Sequence, residues 1–94
     1  MLIIAGTLIL DPRDRDDYLV AVAEVTAHAR RAPGCLDFSQ SADPIEAGRI
    51  NIFERWESDE DLMRFRTSEG PTPLVPPVVS SDVAKYRIES VEEP

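Results

Sequence analysis

The sequence predicts an α+β domain of the ferredoxin-like kind: a βαββαβ chain folded into a four-stranded antiparallel sheet with two helices on one face. Three observations predict it. The apolar residues switch between strand and helix periods in the order strand, helix, strand, strand, helix, strand. Two of the strand segments carry apolar side chains on both alternating sets, which places them together at the centre of a sheet. With 94 residues and 43% hydrophobic composition, there is material for one domain and one core, so residues 1–94 form a single unit.

The first strand is Leu2–Leu10, aliphatic almost throughout, with small Ala5, Gly6 and Thr7 at its middle. That small segment leaves volume for either a ligand cavity or the close approach of the first helix. Asp11-Pro12 stops the strand. A helix starts near Arg13–Asp14, with Asp14, Asp16 and Asp17 in its first turn and Arg30-Arg31 in its last, matching the helix dipole. Tyr18, Val22, Val25 and Ala29 make its apolar stripe, and Pro33-Gly34 ends it. Leu36–Ala42 alternates as a half-buried strand, Asp43-Pro44 to Gly48 is a turn, and Arg49–Glu57 is the second strongly apolar strand. Ser58 with Asp61 three residues on is a capping pattern opening a short helix, Asp59–Arg66, that turns Leu62 and Phe65 inward. Thr67–Ser81 holds Pro71, Pro73, Pro76 and Pro77 among apolar residues, a packed loop rather than a helix. Val83–Val91 alternates like a final strand.

Charge excludes whole classes of partner. Eighteen acidic against ten basic side chains give a net charge of −8, and the pI is about 4.5. Neither a nucleic-acid backbone nor an anionic membrane surface suits that balance. Cys35 is the single cysteine and His28 the single histidine, so there is no disulfide framework and no multi-histidine or thiolate metal site within one chain. Met1–Leu10 is short for a targeting segment and lacks preceding basic residues. A cytoplasmic protein is expected, with no metal and no cofactor. Two helices can cover only one sheet face, yet the first and third strands are apolar on both. A homodimer packed sheet to sheet is therefore expected from burial alone.

The run Ala32-Pro33-Gly34-Cys35-Leu36, the turn at Asp43-Pro44, and Asn51-Ile52-Phe53-Glu54-Arg55-Trp56-Glu57-Ser58 with Leu62 resemble the antibiotic biosynthesis monooxygenase family. The resemblance spans Leu2 to Arg66 and implies a dimeric α/β barrel. Haem-degrading members use an asparagine, a tryptophan and a histidine where this chain has Thr7, Phe65 and Val75, so the resemblance does not extend to haem degradation. Quinol-oxidising relatives carry a histidine in the second helix, where this chain reads Met63-Arg64-Phe65-Arg66. Oxygenases of polyketide anthrones use an asparagine, a tryptophan and a tyrosine, matched here by Asn51, Trp56 and Tyr86. The resemblance thus implies a cofactor-independent monooxygenase acting with molecular oxygen on a small hydroxyaromatic, quinol or anthrone-type compound. The alternative is a non-catalytic dimeric binding module for a small apolar ligand; an isomerase or cyclase with the same apolar slot is a third reading.

The catalytic candidates are Asn51, Trp56, Tyr86 and His28, and the substrate-binding candidates Thr7, Phe65, Arg64 and Val75. Each has a plainer reading. Asn51 is a donor facing substrate between sheet and helices, or an amide satisfied by loop backbone or a dimer seam. Trp56 orients a flat ligand, or is core; Tyr86 closes the pocket, or is a packed strand tyrosine. His28 is the default base near neutrality, or a partly exposed surface histidine. Glu54 is a tuned base or half of an ion pair. Arg64 with Arg66 draws in an anionic substrate, or complements a helix C-terminus. Cys35 is a small buried hydrophobe, or a nucleophile that would need His28 beside it. The expected pocket lies between sheet and helices, under the proline-rich loop.

Overall fold

The computed structural model describes residues 1–94. The elements run β1 (Leu2–Leu10), α1 (Arg15–Arg30), β2 (Cys35–Ala42), β3 (Arg49–Trp56), α2 (Asp59–Thr67) and β4 (Val78–Arg87). The strands order as β2-β3-β1-β4, every neighbouring pair antiparallel. This is the expected ferredoxin-like arrangement, with the two most apolar strands as central neighbours.

Register fixes which side chains share a face, because residues directly opposite on antiparallel strands point the same way. Leu2, Ile4, Leu8 and Leu10 of β1 face the helices together with Ile50 and Trp56 of β3 and Phe38 of β2. Two clusters fill the layer between. Ala29 and Leu62 pack with Leu2, Ile4, Phe38 and Trp56. Tyr18 and Val22 pack with Leu8, Leu10 and Ile50. Both helices therefore sit on one face, and the molecule is only 18 Å thick in its thinnest direction. The other face exposes Ile3, Ala5, Thr7 and Ile9 of β1, half-buried, beside Asn51, Phe53 and Arg55 of β3 and Tyr86 of β4.

Helix ends follow local chemistry. Ser58 caps α2, its Oγ accepting from the Asp61 amide at 3.1 Å and donating to Asp61 Oδ2 at 2.9 Å. Asp14 stands at the N-cap of α1 without a side-chain cap bond. Gly34, at φ +80°, makes the turn after α1 and passes so close to Asp61 that a Cβ would collide with that side chain.

Four expectations are corrected. The proline-rich loop is shorter than Thr67–Ser81, because Val78–Ser81 pair with β1; the last strand runs Val78–Arg87 rather than Val83–Val91, its end at Arg87 lying opposite Leu2, the first residue of β1. Every residue of β4 is exposed, so the alternation from Val83 marks the strand while no buried side chain marks where it begins or ends. The space beside Gly6 is taken neither by a cavity nor by α1: the β4 backbone at Asp82 and Val83 occupies the place of a Cβ. Finally, the layer between sheet and helices is filled by core rather than opened into a pocket.

Candidate functional site

The candidate residues divide between the two faces of the sheet. Thr7 and Asn51 are directly opposite each other on the face without helices, and Tyr86 lies on the same face opposite Ile3. Asn51 is occupied there: its Nδ2 donates to Asp43 Oδ1 at 3.0 Å, and its Oδ1 accepts from Arg49 Nε at 2.8 Å. Asp43 Oδ2 also accepts from the Ile45 and Glu46 amides. These donors, with Arg49 nearby, hold the Asp43 carboxyl at about 2. Asn51 thus ties the β2–β3 turn together instead of facing a space under the helices.

Trp56, His28, Phe65 and Arg64 lie on the helical side. Trp56 is fully buried, and its indole N–H donates to Glu54 Oε1 at 3.0 Å. Burial pushes the Glu54 carboxyl above its usual range, opposed by that indole bond and by the Arg66 charge. Glu54 is therefore held mainly by a tryptophan; no ion pair joins it to an arginine. Phe65 stacks at the centre of an aromatic group, with ring centroids 5.2 Å from Trp56, 5.6 Å from His28 and 5.9 Å from Phe38. Burial, reinforced by the Glu54 and Asp37 charges, pushes the Cys35 thiol up, and its Sγ donates to the Asp37 carbonyl at 3.5 Å. That is the environment of an inert thiol.

Around His28 and Phe65 the surface opens. One cleft of about 340 Å³ lies where the end of α1 meets α2, lined by His28, Arg31, Ala32, Pro33, Asp61, Arg64, Phe65 and Ser68. A second, of about 190 Å³, lies across the same His28–Phe65 pair and reaches Gly70, Pro71 and Thr72 at the start of the proline-rich segment. Ser68 Oγ stands 3.5 Å from His28 Nε2, and Gly70 packs against the imidazole ring. The larger cleft therefore offers one imidazole, one aromatic ring, two guanidinium groups, a hydroxyl, and a carboxylate, that of Asp61, paired to Arg64. Val75 is not part of it; it is 44% exposed on the loop. No group of three or more His, Cys, Asp or Glu side chains is arranged to hold a metal ion. No helix is long and apolar enough to cross a membrane.

The model of the antibiotic biosynthesis monooxygenase family matches residues 1–70, from β1 through α2. The chain belongs to that family. Solved structures named for the family share its fold. A Deinococcus radiodurans protein superposes with a TM-score of 0.81 at 17% identity, over 100% of this chain and 98% of its own. A Nitrosomonas europaea protein gives 0.78 at 10% identity, over 96% and 100% of the two chains. A Caulobacter crescentus protein gives 0.74 at 18% identity, over 97% and 90%. Among curated proteins, no sequence matches. Membership supports a monooxygenase-type function, and the solved structures, at 10–18% identity, share the fold.

In the sequence Arg31 reads only as a helix end and Asp61 only as the capping partner of Ser58, while Ser68 and Gly70 carry no signal. The arginine pair at 30–31 reads as a helix terminus, and nothing local shows that α2 returns to it. The separation of Asn51 from Trp56 was available in the strand period: Asn51 alternates with Ile50 and Ile52, which face the core.

Proposed function

We propose that the chain is a cofactor-independent monooxygenase that oxidises a small hydroxyaromatic, quinol or anthrone-type compound with molecular oxygen in the cleft beside His28 and Phe65. The observation that carries this reading, beyond family membership, is that the single histidine of the chain stands at an aromatic-floored cleft large enough for one or two rings. His28 takes the proton of a hydroxyl or an activated methylene. The resulting electron-rich anion passes one electron to oxygen, the two radicals combine, and the hydroperoxide formed loses water to leave a carbonyl. One oxygen atom enters the product and the other leaves as water, so no external reductant is needed. Arginine side chains at the rim favour the anionic state.

The open sheet face supports the homodimer. Ile3, Ala5, Thr7, Ile9, Phe53 and Tyr86 form a mixed apolar face that two helices on the other side cannot cover. In that assembly Asn51, Thr7 and Tyr86 belong to the dimer seam rather than to the chemistry.

Oxygen uptake by metal-stripped protein with a panel of hydroquinones and anthrones tests the reading. Saturable uptake above the uncatalysed rate is expected. Binding without uptake is the result that replaces it with the dimeric binding module, and product without uptake replaces it with an isomerase.

A further inference from the structure

The charges around the larger cleft run against the charge of the molecule. The chain has a net charge of −8, yet Arg31, at the C-cap of α1, and Arg64, of α2, line the same cleft as His28. The ion pairs of the structure use Arg13, Arg15, Arg49, Arg64, Lys85 and Arg87. Arg31 is therefore free of any carboxylate, and it is exposed at the α1 C-cap. The one acid in the cleft, Asp61, is already engaged: its Oδ1 accepts from Arg64 Nη1 at 3.0 Å and its Oδ2 from Ser58 Oγ at 2.9 Å. The cleft is thus left with an uncompensated guanidinium and a second one held in place by its pairing. Neutralising the two helix C-termini explains the sign of these charges. It does not explain why both line one cleft of about 340 Å³ together with an aromatic ring and the imidazole.

We infer that the ligand of this cleft is an aromatic carboxylate: a hydroxyaromatic whose acid group lies between Arg31 and Arg64 while its ring covers Phe65 and its hydroxyl approaches His28. Guanidinium groups match a carboxylate by planar, paired hydrogen bonds, which an ammonium does not provide. Pro33 and Ala32 add apolar lining to that of Phe65. The focused positive potential also gives the anion a path to a cleft on an otherwise acidic surface. The inference rests on the oxygenase reading for the role of His28, and on the cleft alone for the role of the arginines.

The test pairs 2,5-dihydroxybenzoate with its methyl ester, which has the same ring and hydroxyls without the charge. Titration calorimetry under nitrogen reads binding with no turnover, and oxygen uptake with the same two compounds reads chemistry. The acid is expected to bind at least tenfold tighter than the ester, less so as salt is raised. That ratio is expected to fall several-fold in Arg31→Gln, to approach one in the Arg31→Gln/Arg64→Gln double variant, and to stay unchanged in Arg13→Gln, at the far end of the fold. Arg31→Gln alone keeps the test informative if the double variant fails to fold, since Arg31 is exposed and makes no ion pair. Equal binding of acid and ester by the unaltered protein, or a ratio that survives Arg31→Gln, overturns the inference. A strong preference for the acid with no oxygen uptake upholds it and removes the oxygenase reading instead. Uptake with both compounds and no preference does the reverse.

Discussion

Glu54 and Trp56 show how one side chain is set by its neighbours. The carboxyl is half-buried under α2 and accepts the indole N–H at 3.0 Å, so burial raises its affinity for a proton. A carboxyl with a raised folded value stabilises the fold fully below its unfolded value, about 4.3. That stability is lost as pH rises through the folded value. Glu54→Gln keeps an acceptor for Trp56 and removes the charge. Its melting temperature is expected to match the parent's at pH 4 and to exceed it at pH 7 to 8, as followed by circular dichroism. Asn51 is set differently, by the turn it holds. Asn51→Ala unties Asp43 and Arg49, at a cost of about 1–2 kcal/mol in denaturant titration, without altering the cleft on the other face. Asn51 looks chemical in the sequence because an amide in an aliphatic strand is rare. Its position between Ile50 and Ile52 already places it on the side away from the core.

At the scale of elements, legibility follows burial. β1 and β3 are plain in the sequence because their side chains are sorted by a core, and β1 is read to its last residue. β4 is legible only in part: alternation marks it from Val83, but all ten of its residues are exposed, so its start at Val78 and its end at Arg87 are set by pairing with β1. α2 is announced by its cap at Ser58. Its return to the end of α1 is a tertiary fact, which is why the cleft at Arg31 is silent in the chain while His28, Phe65 and Arg64 are visible as separate signals. The return depends on the turn at Gly34. Gly34→Ala forces a side chain into a positive φ, about 1–2 kcal/mol by itself. It also drives a methyl into Asp61. A fall in stability larger than that backbone cost is expected in urea titration, together with loss of the Arg64–Asp61 pairing.

At the scale of the whole molecule, thinness matters most. A two-layer body 18 Å thick leaves one face of its sheet without a cover, and Phe53, 36% exposed at the middle of β3, stands at its centre. In the proposed homodimer a second copy removes that face from water. Phe53→Glu is expected to convert the dimer to a monomer in light scattering, since a carboxylate there meets its own copy across a two-fold axis. The same body explains where chemistry can occur. Its interior is filled, so the proposed ligand site is the cleft where the end of α1 meets α2, and the only imidazole of the chain lines that cleft. The most direct test of this account is the rate of oxygen consumption with a hydroquinone, compared between the parent protein and His28→Gln. A drop of about 10² or more is predicted, the contribution of a positioned base. A rate unchanged by the substitution contradicts it.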